Sequence, residues 1–577
     1  MIRKGLSTVN NVAGVTGEVS AERLMAVLSP MAQWTKHAGT PGELESLGYL
    51  RGLLDDLGYT TQLLSHDAYI SLPVSARVEA DGVTHNALAV SFSRSTPPDG
   101  LTGRLVPVGR GTAEEYAGLD VTGCIVLIDG VPGPGQTIEA GNRGAIAQVH
   151  VSPHDKLHEM CVSPVWGSPG DDAVDDLPAT AVCSVSATDG TRLRELAGQE
   201  ITVHTEIDTG WRPTPILLAD LPSTRGGEDE PFVFFTGHHD TWHYGLMDNG
   251  TANATMIEVA RIAAERRDQW QRGLRLAFWS GHSQGRYSSS AWYADHHWEE
   301  LEARAAVHVN IDSTGGNGNT VVADATSAAE LGELAQEALS TQAGQDWAGR
   351  RMHRAGDQSF WGIGVPAIFA NMSEQPIDPA LLNAQAAVFG GGPRKGNGTG
   401  WWWHTPEDTL DKIDPELLVR DTRIYLHAVW RLLTDPTLPM DFTPACEALV
   451  ERLRELQISS AGRLDLSVPI ERGLRARELA AALWAKRESV DPDWFNATVH
   501  RLSRLFVPLD YTQGDRFTHD PALFVGGVPG LADTPRLSGL EPDSDGFRFL
   551  HSRLVRERNR VAVSLREAVA FLEGALE

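Results

Sequence analysis

Residues 231–262 read PFVFFTGHHDTWHYGLMDNGTANATMIEVARI, and the fold of the chain turns on them. The run Phe232, Val233, Phe234, Phe235 is apolar and long enough for a buried strand. His238, His239 and Asp240 follow at its carboxyl end, and a loop with His243 and Gly245 leads to Asp248-Asn249-Gly250. From about Thr251 a helix is expected, with Met256, Ile257, Val259, Ala260 and Ile262 on its apolar face. Strand, polar loop and helix in this order predict an α/β sheet with a ligand crevice beyond the strand ends. An imidazole at 238 and a carboxylate at 248 suit a metal such as zinc. Taken alone, the same residues could also be polar loop positions, with Asp248 or Thr251 as the helix N-cap.

Outward from this stretch, residues 213–437 alternate strand and helix signals, as a mixed sheet covered on both faces would. Strands are expected at 274–279, at 305–311 ending on Asp312, and at 365–371, with helices at 288–298 and 328–339. A long glycine-bearing loop at 376–400 runs into Trp401-Trp402-Trp403-His404. Upstream, residues 1–18 are expected to be a loose arm. A helix with Leu44, Leu47, Leu50, Leu54 and Leu57 on one side comes before short alternating segments as far as Ser93. Residues 99–212 are glycine-rich, with short β-branched runs at 106–108, 124–128, 146–151 and 179–185. Beyond residue 441 the pattern is helical, at 447–456, 474–489, 494–506 and 547–576.

The bulk numbers narrow the function classes. A chain of 577 residues exceeds what one core serves, so two to four domains are expected. A net charge of −27 disfavours nucleic acid and anionic membranes as partners. The four cysteines, Cys124, Cys161, Cys183 and Cys446, form no C-x-x-C pair, which suits reduced thiols and a cytoplasmic protein. No signal peptide or run of 18 apolar residues is visible.

Four residues of metal-ligand type fall at or just beyond strand ends: His238, Asp248, Asp312 (in Asn310-Ile311-Asp312-Ser313-Thr314) and His404 (in His404-Thr405-Pro406-Glu407-Asp408-Thr409). Together they resemble the M28 family of zinc aminopeptidases and carboxypeptidases, in the architecture of glutamate carboxypeptidase and the transferrin receptor. The stretch Gly123-Cys124-Ile125-Val126-Leu127-Ile128 with Leu177-Pro178-Ala179-Thr180-Ala181-Val182 resembles a protease-associated domain. The resemblance implies a mixed-sheet zinc-aminopeptidase-like α/β domain (1–98 and 213–440). It also implies a β-rich protease-associated insertion (99–212) and a C-terminal helical dimerisation domain (441–577), hence a homodimer. It makes His238 and Asp312 ligands of a first metal, Asp248 the bridging carboxylate and His404 a ligand of a second metal. Asp240 becomes the carboxylate that orients a ligand histidine, and residues 357–360 lie beside the substrate pocket.

One departure shapes the functional reading. Where the family has a Glu-Glu pair after its strand, this chain has His282-Ser283, in Ser280-Gly281-His282-Ser283-Gln284-Gly285. Serine is a poor zinc ligand, so the second site is depleted while the first is complete. The expectation is one divalent transition metal per chain, zinc first, with manganese, iron and cobalt as the others that these ligands suit. The expected activity is hydrolysis of an amide or related C–N bond in a small or short peptide-like substrate, His282 serving as acid/base. Two alternatives stand beside it: a non-catalytic dimeric binding protein, and a two-metal peptidase with His282 as the missing ligand.

Overall fold

A computed structural model describes residues 12–227, 229–377 and 398–577. Its strands are β1 Thr60–Ala80, β2 Val83–Ala89, β3 Leu101–Pro107, β4 Ile125–Asp129, β5 Ala147–Val151, β6 Ala181–Val185, β7 Glu200–Leu221, β8 Phe232–His238, β9 Gly273–Trp279, β10 Ala305–Ile311 and β11 Ala367–Ile368. They form one sheet in the order β1-β2-β6-β5-β4-β3-β7-β9-β8-β10-β11, with β1 also paired to β7. The chain is therefore a mixed α/β protein with a helical C-terminal region.

The site-bearing half of the sheet is parallel from β9 through β8 and β10 to β11, and the end of β7 runs antiparallel along β9. Side chains alternate across a strand, which explains the unbroken apolar run at 232–235. Phe232 and Phe234 pack on one face with Trp279, Tyr293 and Phe360. Val233 and Phe235 pack on the other with Met256, Ile257 and Tyr425, from the helices Ala252–Ala264 and Pro415–Thr434. Both faces are covered, so every residue of β8 is buried. A smaller core under β3 to β6 gathers Val78, Leu105, Leu127, Val149, Cys183 and Val203.

Several elements differ from expectation. The short segments expected up to Ser93 are replaced by one 21-residue strand, β1, which pairs antiparallel with the 22-residue β7 from Thr60–Asp220 to Glu79–Thr202. Its register slips between Pro73 and Ser75, where proline offers no N–H to the ladder. The loose arm ends earlier than residue 18. Residues 1–11 lie outside the described chain, but Val12, Val15 and Val19 are buried against the core that holds Leu24 and Leu28. The strand at 365–371 shrinks to Ala367–Ile368, because Phe369 takes φ +63° and leaves the β region. The helix at 288–298 divides into Ser288–His296 and Trp298–Arg304. Of the loop at 376–400, residues 378–397 lie outside the described residues.

The four C-terminal helices span Phe442–Ser459, Ser467–Lys486, Pro492–Tyr511 and Asp545–Leu576. The third is pinned to the sheet by buried Arg504, whose guanidinium donates to the carbonyls of Leu301, Glu302, Ala305 and Gly364. Among the described residues, no helix is long and apolar enough to cross a membrane. All four cysteines are buried and free.

Glu330, 4% exposed, has one carboxylate oxygen with no hydrogen-bond partner, and burial pushes its carboxyl up to about 7. The folded state then holds a proton that the unfolded state has released, so stability falls as pH rises from the ordinary glutamate range through 7. Glu330→Gln removes that slope. Urea denaturation should show the variant gaining on the natural protein between pH 5 and pH 8, by up to roughly 3 kcal/mol. Parallel stability curves would refute this.

Candidate metal centre

β8 ends on His238, where strand gives way to loop at the carboxyl edge of the sheet. The turn is crowded: a Cβ on Gly237 would meet the Ile311 carbonyl at 2.8 Å, and one on Gly245 (φ +49°) would collide with the Asp248 carbonyl. Glycine lets the backbone approach this closely. The loop swings Asp248 back towards His238. Asn249 and Asn253 both donate to the His238 carbonyl, and Asn249 also accepts from the Ser313 N–H, tying β8 to the end of β10. Asp408 holds Asp248 from the far side, accepting from the Met247 and Asp248 N–H groups at 2.8 and 3.0 Å.

All four expected ligands meet. His238 Nε2 lies 3.2 Å from Asp248 Oδ1 and 3.6 Å from Asp312 Oδ1, and His404 Nε2 lies 3.1 Å from Asp248 Oδ2. Asp248 thus stands between two histidines, as a bridging carboxylate would. His282 joins them: its ring stacks on His238 with centroids 3.8 Å apart, and its Nε2 is 4.0 Å from Asp312 Oδ2. His238, His282 and Asp312 each bring one donor atom within 4.8 Å of the others.

Each of the three rings uses its other nitrogen elsewhere. His238 Nδ1 donates to the Asp240 carbonyl (2.8 Å), His404 Nδ1 to the Glu159 carbonyl (2.6 Å) and His282 Nδ1 to the Asp357 carboxylate (2.9 Å). A neutral imidazole protonated at Nδ1 presents a lone pair at Nε2, and these lone pairs face carboxylate oxygens. His238 Nε2 and Asp248 Oδ1 are fully buried and have no hydrogen-bond partner despite their proximity. Acceptor atoms facing one another call for a cation, and imidazole with carboxylate is the donor set of zinc-type ions. The residues therefore fit a divalent metal.

The same carboxylates also favour a proton on His238 Nε2, which a bound cation would displace. Burial works against charge on His238, but Asp312 and Asp248 outweigh it and hold the imidazolium well above the ordinary histidine range. Burial likewise opposes ionisation of Asp248, yet His238 and His404 hold its carboxyl well below the carboxylate range. Burial pushes the Asp408 carboxyl up to about 7.

Asp240 acts differently from expectation. Its carboxylate is 3.9 Å from His238 Nδ1 and does not orient that ring; the Asp240 backbone carbonyl does. The carboxylate instead accepts the His282 backbone N–H, at 3.1 and 3.0 Å, and fixes the turn that carries His282. Residue type is legible in a sequence, but which of its oxygens does the work is not. Asp357, expected only beside the pocket, grips the His282 ring, and Ser290 donates to its other oxygen at 2.8 Å. His239 pairs with Asn253 and His308 with Thr236, both buried in structural roles. Trp403 stacks on His404 with centroids 3.6 Å apart.

The cluster opens into a cavity lined in part by His282, Ser283, Arg286, Tyr287, Asn371 and Trp403.

Residues 217–429 match the family model described as Peptidase family M28. Among curated proteins, the chain is 25% identical over 323 residues to the probable lipoprotein aminopeptidase LpqL of Mycobacterium tuberculosis, covering 53% of this chain and 62% of that protein. It is 24% identical over 495 residues to a probable glutamate carboxypeptidase of Zea mays, covering 73% of this chain and 68% of the other. The match thus spans less than two thirds of the Mycobacterium protein. Among solved structures, a zinc aminopeptidase from Bacillus subtilis superposes with a TM-score of 0.55 at 19% identity, covering 72% of this chain and 96% of that one.

Proposed function

We propose that this chain, whose residues 217–429 match the Peptidase family M28 model, is a metal-dependent hydrolase of an amide or related C–N bond in a small substrate. His238, Asp248 and Asp312 would hold one divalent transition metal, zinc first, with His404 at its side. The observation that carries the reading is the convergence of three histidine Nε2 atoms on buried Asp248 and half-buried Asp312, with serine at the position that would complete a second site. Bound there, the metal supplies a Lewis acid and brings the pKa of a water to about 7.

The chain's own residues supply the proton chemistry. His282 has its Nδ1–H fixed by Asp357, and its ring lines the cavity. That nitrogen takes the proton of the attacking water as the C–O bond forms, then returns it to the leaving nitrogen as the C–N bond breaks. Trp403 excludes water from one side of His404.

Metal analysis with a panel of small amides tests this. One equivalent of metal is expected, with hydrolysis lost on chelation and regained on adding zinc. Equal turnover by stripped and loaded protein across the panel would defeat the proposal.

A further inference from the structure

The cavity wall beside His282 carries a cation that the hydrolytic chemistry does not use. Arg286 lies on the turn that also presents His282 and Ser283, and all three line the cavity. The turn is held in an unusual shape: Arg286 and Tyr287 adopt φ +49° and +70°, and the Tyr287 N–H donates to the His282 carbonyl at 2.8 Å. Consecutive left-handed residues without glycine are retained where the surrounding structure enforces them, and such positions cluster at ligand sites.

The other charged groups of the wall are spoken for. Asp248 and Asp312 face the histidines, and Arg350 pairs with Glu374 at 3.4 Å. Arg286 has no carboxylate in ion-pair reach among the described residues. Its Nη2 donates to one neutral acceptor, the Ala522 carbonyl, at 3.1 Å, and its Nε has no acceptor. Next to it, Arg354 also spends its donors on carbonyls, those of Asp520 and Pro521. In a protein of net charge −27, a cavity arginine with no carboxylate partner is set apart from the other charged groups of the wall.

We infer that Arg286 is a specificity-determining residue that binds a carboxylate of the substrate, so the amides this site takes are acidic ones. A planar guanidinium matches a carboxylate in shape and charge, and the partly buried wall shields the pair from water. The inference rests on the hydrolase reading above for the word substrate, and its test is independent of turnover.

The test measures binding of N-acetyl amino acids, each as free acid and as carboxamide, by saturation-transfer NMR and calorimetry. It uses the metal-loaded and the chelated full-length protein, and the variants Arg286→Leu and Arg286→Lys. The natural protein should bind at least one free acid about tenfold to a hundredfold tighter than its carboxamide, with or without metal. Arg286→Leu should lose that preference and Arg286→Lys keep part of it. Three results would overturn the inference: equal binding of acids and amides, a preference that survives in Arg286→Leu, or one that vanishes with the metal. Hydrolysis is scored separately. Acid preference without turnover of any amide removes the hydrolase reading alone, whereas turnover without acid preference removes the role of Arg286 alone.

Discussion

Asp248→Asn is expected to cost the protein its metal. Among the described residues, Asp248 is the one carboxylate within 3.2 Å of two different imidazoles, and its oxygens divide between them, Oδ1 to His238 and Oδ2 to His404. An asparagine keeps the volume but removes the negative charge and turns one oxygen into a donor. The His238 Nε2 lone pair would then face a neutral amide, and the site loses one of the two carboxylates that offset a divalent charge. Loss of partners outside the ligand set typically weakens metal sites ten- to a hundredfold, so removing a central ligand should exceed about a hundredfold. Elemental analysis after dialysis should find stoichiometric metal in the natural protein and traces in the variant. Zinc at a thousand times its dissociation constant stabilises a folded protein by about 4 kcal/mol, and this shift in melting should vanish in Asp248→Asn. Undiminished metal with an undiminished shift would show that the ion sits elsewhere.

His282→Ala should leave the metal in place and abolish turnover. The ring is held by Asp357 through Nδ1 and by Asp240 through its backbone N–H, so its position belongs to the scaffold rather than to the ion. A positioned acid/base contributes on the order of a hundredfold to ten-thousandfold, and kcat should fall by that much with unchanged metal content. Loss of metal in the same variant would make His282 a ligand and favour the two-metal reading. The double change His282→Glu with Ser283→Glu approaches the site from the other side. It returns carboxylates at the two positions that line the cavity beside Asp248 and Asp312, and metal content should rise from one to two per chain. A variant that still binds one would mean that the second site is closed by more than Ser283.

Much of the centre was readable from the chain because its ligands sit at ends that hydrophobic patterning marks. The run at 232–235 announces β8 and therefore the place of His238, and 305–311 announces β10 and the place of Asp312. What escaped depends on three-dimensional proximity. Asp357 meets His282 across 75 residues, and nothing in the local pattern of either pairs them. Arg286 reads as an ordinary exposed arginine until the left-handed turn and the Ala522 carbonyl place it on the cavity wall. β1 escaped for a related reason. Much of it is only partly buried, so its alternation is weak, and its pairing partner comes more than a hundred residues later.

That ribbon has a consequence for how the protein is made. Thr60 pairs with Asp220, so β1 leaves the ribosome about 160 residues before the end of the strand that completes it. At a synthesis rate of ~5–20 residues per second, this is roughly ten to thirty seconds during which a nascent strand shows an open edge. Open edges recruit strands from other chains, and on a polysome the nearest are identical copies of the same unfinished protein. Crowded translation, more than the finished molecule, is where this chain is most exposed to misassembly.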